Sequence, residues 1–162
     1  MPGVRHAYLE EYETVAAMTV EAFRQFEPLM APGLWPEMEK GVSRTAQLRD
    51  GGELLVATEE GMLLGSVVYC APGAMEQDRF PDDWAFMRVL AVPPRHRGRG
   101  VARALATTCL DLARSDGVKI FGLHTSEAMN EAHGLCEKLG FTRGRELPRL
   151  YGLRYWIYSL AL

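Results

Sequence analysis

The sequence predicts a mixed α/β fold in which helices pack on a β-sheet, and three observations support this prediction. Apolar residues recur at helical spacing in some segments and form short, β-branched runs in others. Glycines and prolines separate these segments from one another. One apolar strand runs through a glycine-rich turn directly into a helix. The predicted order of elements is β-α-α-β-β-β-α-β-α-β-β.

Length and composition indicate one domain over residues 1–162, since 48% of residues are hydrophobic and 24% are charged. A net charge of −3 argues against a general nucleic-acid-binding protein. No apolar run approaches the roughly 20 residues that span a bilayer, and the first residues lack a signal pattern. The three cysteines are not spaced for a disulfide framework or a metal site. We therefore expect a cytoplasmic protein, without a membrane or nucleic-acid partner and without a bound metal.

The first half of the chain predicts two helices and a hairpin after a short strand at residues 4–8. Prolines and Gly33 end the first helix. Residues at helical spacing define it: Tyr12, Val15, Ala16, Thr19, Phe23 and Phe26. A second, weaker helix covers residues 37–49. The apolar runs at 54–57 and 63–69 flank Glu59-Glu60-Gly61 and predict a β-hairpin. A polar loop follows over residues 71–83.

The second half alternates strands and helices. A strand is predicted over residues 84–92, where two prolines end it, and a helix begins at Val101 and ends near Gly117. Residues 118–125 form the next strand. A helix over residues 130–139 is closed by Gly140, a typical C-terminal cap. Strands beginning at Phe141 and over residues 155–162 complete the fold.

The turn before Val101 predicts a site for a phosphate-bearing ligand. The first N–H groups of a helix lack internal partners and lie at the positive end of its dipole. Gly98 and Gly100 have no Cβ, so a ligand can approach the backbone closely. Four arginines add long-range attraction: Arg95, Arg97, Arg99 and Arg103. No Lys-Ser or Lys-Thr follows the glycines, so the turn is not a P-loop.

Two motifs resemble those of the GNAT N-acetyltransferases. The segment 90–102 resembles motif A of that family, written Gln/Arg-x-x-Gly-x-Gly/Ala, with Arg97, Gly100 and Ala102 at its fixed positions. Cys-Glu-Lys-Leu-Gly-Phe at 136–141 resembles the Tyr-Glu-Lys-Leu-Gly-Phe ending of motif B. The predicted order of elements also matches. The resemblance implies a mixed, mostly antiparallel sheet of six or seven strands with helices on both faces.

The resemblance further implies that acetyl-CoA donates an acetyl group to an amine on a small molecule or peptide. The backbone of residues 97–102 would hold the pyrophosphate. The pantetheine arm would pair with the strand edge at residues 90–92, where a bulge separates this strand from the one at 118–125. The Leu90 N–H would stabilise the oxyanion. The residues implied for the cofactor are Leu90, Ala91, Val92, Arg97, Gly98, Arg99, Gly100, Val101, Ala102 and Asn130.

The groups that transfer protons stay open at this point. Cys136 occupies the tyrosine position of motif B and could protonate the leaving thiolate, but free cysteines more often pack in a core. His124, at a predicted strand end, is a candidate general base or simply a hydrogen-bonded histidine. Four acidic residues are further candidate bases or merely solvated: Glu76, Asp82, Asp83 and Glu127.

Three functional hypotheses follow. The first is acetyl transfer, and the second is a domain that binds acyl-CoA without catalysis, since Cys136 replaces the tyrosine. The third is a domain that binds another nucleotide. The acidic residues at 76–83 favour a cationic acceptor. Many GNAT proteins are dimers, and an exposed last strand would support a homodimer here.

Overall fold

The computed structural model describes residues 2–162 and has the predicted order of elements. Over these residues the chain forms four α-helices and one seven-stranded, mostly antiparallel sheet with the order β1-β2-β3-β4-β5-β7-β6. The elements are β1 Gly3–His6, α1 Tyr12–Phe23, α2 Trp35–Ala46, β2 Glu53–Glu59, β3 Met62–Cys70, β4 Ala85–Ala91, α3 Val101–Ser115, β5 Ile120–Ser126, α4 Asn130–Leu139, β6 Thr142–Leu150 and β7 Leu153–Ala161.

Helix ends differ from the predicted ones where backbone geometry decides them. Helix α1 stops at Phe23, three residues before the predicted apolar stripe ends, and a 3-10 helix over Arg24–Leu29 follows it. Helix α2 begins two residues earlier than predicted because Pro36 fits the first turn of a helix. It ends at Ala46, and Leu48 adopts a left-handed conformation with φ of 57°.

Helices cover both faces of the sheet, as predicted. On one face α3 and α4 bury Leu105, Cys109 and Cys136 against Val67 and Phe121. On the other face α1 and α2 bury a second cluster that includes Val15, Trp35, Met38, Val68 and Phe86. Each fully buried side chain of this size contributes about 1.5–3 kcal/mol to folding. Helices therefore stabilise the sheet from both sides.

The two hairpins turn through left-handed residue pairs. Glu60 and Gly61 have φ of 52° and 77°, and Tyr151 and Gly152 have φ of 56° and 75°, which are the signs that a type I′ turn requires. The second hairpin places β7 between β5 and β6. The prediction of an exposed last strand is therefore wrong, because β6 forms that edge of the sheet.

A bulge and a parting of strands create the opening on which the site depends. Ser66 pairs with Ala91 and Val68 with Arg88, so β4 carries one residue more than β3 between these pairs. Within this bulge Val89 has φ of 46°, a rare conformation for a β-branched residue. Parallel strands β4 and β5 pair only at Ala85↔Phe121 and Phe86↔Gly122. Beyond these pairs the two strands separate; we call this opening the strand gap.

In the part of the chain that the structure describes, no α-helix has both the length and the apolar character needed to cross a lipid bilayer.

Candidate functional site

A cleft of about 740 Å³ lies where β4 ends and α3 begins. The end of α1 and the 3-10 helix after it form one wall, and α4 forms the other. This volume is in the range of sites for small molecules and cofactors. Nine of the ten residues predicted to hold a cofactor line the cleft: Leu90, Ala91, Val92, Arg97, Gly98, Gly100, Val101, Ala102 and Asn130.

The turn into α3 presents a row of free backbone donors to this cleft. The first backbone hydrogen bond of the helix runs from the Ala104 N–H to the Gly100 carbonyl, at 3.0 Å. Over residues 2–162, no backbone carbonyl accepts from the N–H groups of residues 98–103. Gly98 and Gly100 have φ of 79° and 76°, and a Cβ on either would meet no atom within 4 Å. Such an end of a helix binds anions, phosphates in particular.

The side chain of Arg97 fixes the shape of the turn. Its Nε donates to the Val92 carbonyl at 2.9 Å, and its Nη1 donates to Gln25 at 2.9 Å and to Glu131 at 3.4 Å. These bonds join the end of β4 to both walls of the cleft. Arg97 therefore acts mainly by holding the loop, since its charge already faces a carboxylate.

The other arginines of the turn differ in their surroundings. Arg95 pairs with Glu21 on the surface, and Arg99 lies 3.9 Å from Glu59. Arg99 does not line the cleft, so only its backbone N–H belongs to the turn. Arg103 lines the cleft and forms no ion pair within residues 2–162. It is the guanidinium best placed to meet a bound anion.

His124 lies on the other side of the strand gap, in an enclosed aromatic setting. Its ring centroid is 6.1 Å from that of Phe80 and 5.7 Å from that of Tyr155. Its Nε2 lies 3.5 Å from Nη1 of Arg79, and its buried Nδ1 has no partner among the described residues. Burial and, to a smaller extent, the charges of Arg79 and Arg88 together lower the pKa of His124 to about 3. The ring is therefore neutral at neutral pH.

Cys136 is embedded in the core under α4. Its residue surface is 2% exposed, and it does not line the cleft. Burial raises the pKa of its thiol to about 12. The surroundings of Cys136 are those of a packing residue, and they make its thiol a weak acid.

The acidic candidates lie away from the strand gap or in solvent. Glu76, Asp82 and Asp83 are exposed on the loop before β4. Glu127 is exposed and accepts a hydrogen bond from the Arg154 backbone N–H at 3.2 Å. Among residues 2–162, no group of three His, Cys, Asp or Glu side chains is placed to hold a metal ion.

Sequence reasoning missed several residues that the fold brings to the site. Gln25 and Glu131 hold Arg97 from distant segments, and no local signal marks them. Arg88 carried a signal that could have been used, since it is the one charged residue in the apolar strand β4. Arg79 lies in a polar loop, and nothing in its local sequence indicates a functional role.

Comparison with known proteins gives consistent results. The sequence model of the Acetyltransferase (GNAT) family matches residues 15–141. The chain is 43% identical over 54 residues to N-acetyltransferase 8B of Homo sapiens, a stretch that is 33% of this chain and 24% of that protein. The chain spans 24% to 52% of the length of the curated relatives that it matches.

Solved structures share the fold at low sequence identity. The PaiA N-acetyltransferase of Thermoplasma acidophilum, solved with coenzyme A, superimposes with a TM-score of 0.75 at 12% identity, covering 100% of this chain and 99% of that one. The yncA protein of Salmonella typhimurium, solved with acetyl-CoA, gives 0.69 at 18% identity, covering 99% and 94%.

Proposed function

Since the chain belongs to the acetyltransferase (GNAT) family, we propose that it transfers an acetyl group from acetyl-CoA to an amine. One observation carries this proposal: the row of free N–H groups at residues 98–103 and the strand gap open into the same cleft. A phosphate held at the first would direct the rest of an extended cofactor along β4. Two of the family's solved members bind coenzyme A or acetyl-CoA, which supports this choice of cosubstrate.

The bulge supports a role for Leu90 in stabilising the reaction. The extra residue in β4 disrupts the ladder with β3 at Val89 and Leu90. We propose that the Leu90 N–H donates to the thioester oxygen as negative charge develops there. The amine nitrogen then bonds to the acetyl carbon, and the carbon–sulfur bond breaks. Coenzyme A leaves as a thiolate that takes up one proton, while the nitrogen loses one.

Cys136 is a poor donor for the proton that the leaving thiolate takes up. An ordinary thiol has a pKa near 8.5, so a donor with a pKa of about 12 makes the transfer uphill by roughly 5 kcal/mol. We propose that Cys136 packs and that water supplies this proton. His124 lies beside the strand gap, but a ring with a pKa of about 3 is a poor acceptor for a proton from an amine, whose own pKa is about 10. We propose that His124 borders the gap without acting as the base and that water takes the amine's proton.

An acceptor screen tests the proposed function. Purified protein is mixed with acetyl-CoA and a panel of amines, and free coenzyme A and N-acetylated product are measured. We expect release of coenzyme A that depends on the acceptor. Binding of acetyl-CoA without such release would instead favour a silent acyl-CoA-binding domain. Binding of ATP or NAD alone, measured by calorimetry, would contradict both.

Three further expectations stay proposals. A cytoplasmic location is supported by the three free, buried cysteines Cys70, Cys109 and Cys136. A single domain is supported by the continuous sheet. A homodimer gains no support from edge strand β6, because charged residues and Pro148 oppose pairing there: Arg143, Arg145, Glu146 and Arg149. Size-exclusion chromatography with light scattering tests it.

A further inference from the structure

Two arginines without carboxylate partners border the strand gap on the face that carries α1 and α2. Arg88 lies two residues beyond Phe86 on β4, and His124 lies two residues beyond Gly122 on β5. Because Phe86 and Gly122 are paired, Arg88 and His124 stand at the same level on the same face. Arg79 completes the group, with its Nη1 at 3.5 Å from His124. We call Arg79 and Arg88 the arginine pair.

Neither member of the arginine pair forms an ion pair within residues 2–162. Among the described residues the Arg88 side chain donates only to the thioether sulfur of Met75, at 3.3 Å, which is a weak acceptor. Both side chains are partly buried, and burial lowers the pKa of Arg79, with the charge of Arg88 acting in the same direction. Unpaired guanidinium groups that lose part of their hydration are costly unless a ligand anion completes them.

The loop that carries Arg79 is held in place before any ligand binds. The Gln77 side chain accepts from the N–H groups of Arg79 and Phe80 at 2.8 and 2.7 Å, and it donates to the Phe80 carbonyl at 2.9 Å. The Phe80 ring stacks on Phe86 with centroids 4.5 Å apart. Arg145 donates to the Arg79 carbonyl at 3.0 Å. The arginine pair is therefore preorganised on rigid supports.

The hairpin of β6 and β7 packs against α2 and the segment before it, and its Tyr151 is close enough to the arginine pair to feel both charges. The Tyr151–Gly152 turn between β6 and β7 packs so closely that a Cβ on Gly41 would lie 2.6 Å from the Tyr151 hydroxyl. A Cβ on Gly152 would lie 2.6 Å from the Ala31 Cβ. Burial raises the pKa of Tyr151, and the charges of the arginine pair oppose that rise.

The geometry points to a small amino acid as the acceptor, with its carboxylate bound by Arg79 and Arg88. This inference rests on the proposed function. A guanidinium fork matches a carboxylate in shape and charge. Because the arginine pair lies beside the strand gap where the thioester is attacked, carboxylate and amine must be a few bonds apart. A lysine side chain, or a protein N-terminus other than Asp or Glu, offers no anion at that distance, and the short peptides in the test below address the acidic N-termini. The acidic residues at 76–83 that favoured a cationic acceptor are exposed, whereas Arg79 of the same loop faces the gap.

Matched acceptors test the inference. The probes are L-amino acids, each paired with its own carboxamide, together with short peptides and 2-aminoethylphosphonate. We expect kcat/KM for the acids to exceed that for their amides at least tenfold. The carboxylate favours the protonated amine, so a preference for the acid cannot come from a more available nitrogen lone pair. Equal use of acids and amides, or a preference for the phosphonate or the peptides, would overturn the inference.

Variants assign the preference to the arginine pair. Arg79→Met and Arg88→Met should each lower kcat/KM for the acids at least tenfold and leave that for the amides nearly unchanged. Arg114→Met, at the far end of α3, removes the same charge and should keep the full preference. Unfolding free energies should not fall in the two test variants, because each loses an unpaired, partly buried charge. If the preference survives in both, another group binds the carboxylate and the inference fails.

A binding experiment separates this inference from the proposed function. Calorimetry measures amino acids and their amides against protein saturated with coenzyme A, so it does not require turnover. Tighter binding of the acids without any turnover would support the arginine pair and contradict acetyl transfer. Turnover of amides as fast as acids, with equal binding of both, would support acetyl transfer and contradict the role of the arginine pair.

Discussion

Arg97 donates its Nε–H to the carbonyl oxygen of Val92 at 2.9 Å, so the residue directly after β4 is tied to the turn that follows. The same guanidinium reaches Gln25 and Glu131 on the two walls of the cleft. An arginine that attracts a phosphate only by charge would point to solvent. Arg97 instead fixes the turn whose free N–H groups are proposed to bind the phosphate.

Replacing Arg97 with lysine therefore tests a positioning role. Lysine keeps the charge but cannot bond Val92, Gln25 and Glu131 together. Each lost bond to a charged group is worth about 1.5–3 kcal/mol, so we expect acetyl-CoA to bind at least tenfold more weakly by calorimetry. Arg95→Lys, at an exposed pair with Glu21, is the control and should bind normally. If Arg97→Lys binds acetyl-CoA as tightly as wild type does, Arg97 contributes only its charge.

Gly100→Val tests the phosphate site. A valine at φ of 76° is strained by at least about 1 kcal/mol, and its side chain would enter the open space beside the turn, where the phosphate is proposed to bind. Gly117→Val is matched, since Gly117 has φ of 75° and equally open surroundings in the turn after α3. We expect both variants to lose stability in urea denaturation, and Gly100→Val alone to lose acetyl-CoA affinity, tenfold or more. If Gly100→Val keeps its affinity for acetyl-CoA, the phosphate does not bind at this turn.

Cys136→Ala separates packing from catalysis. The thiol is 2% exposed, so its removal should lower the free energy of unfolding by about 1 kcal/mol. We expect kcat to stay within about twofold of wild type across pH 6–9, because a thiol with a pKa of about 12 contributes little as an acid. A fall in kcat of tenfold or more, with normal stability, would make Cys136 the proton donor.

His124 should make the protein less stable in mild acid. Its pKa is about 3 in the folded chain and about 6.5 when unfolded, so the unfolded state binds the proton first. The stability is fully present above pH 6.5 and falls as pH drops toward 3, by up to about 1.4 kcal/mol per unit. Compared with His124→Gln, wild type should lose about 2 kcal/mol more between pH 7 and pH 5 in urea denaturation. If the stability of wild type and of His124→Gln falls equally with pH, folding does not lower the pKa of His124.

Much of the fold could be predicted because its signals are local. Apolar periodicity marked α4 to the residue, and Gly140, with φ of 87°, closes it as expected. The hairpin at Glu60-Gly61 follows from turn chemistry. The ends of α1 and α2 could not be predicted as well, because the 3-10 helix after Phe23 and the left-handed Leu48 compete with periodicity.

The sequence by itself determined the order of elements, the glycine turn into α3 and the family, since each depends on residues adjacent in the chain. The tertiary structure decided the rest. Val92 and Gln25, or Arg79 and His124, are far apart in sequence, and only the packing of loops and helices on the sheet brings them together. The strand gap likewise exists because a bulge in β4 changes its register with β3, while β5 stays paired with β7. Pairing between distant strands determines the strand gap and the position of the arginine pair beside it, and no local pattern predicts either.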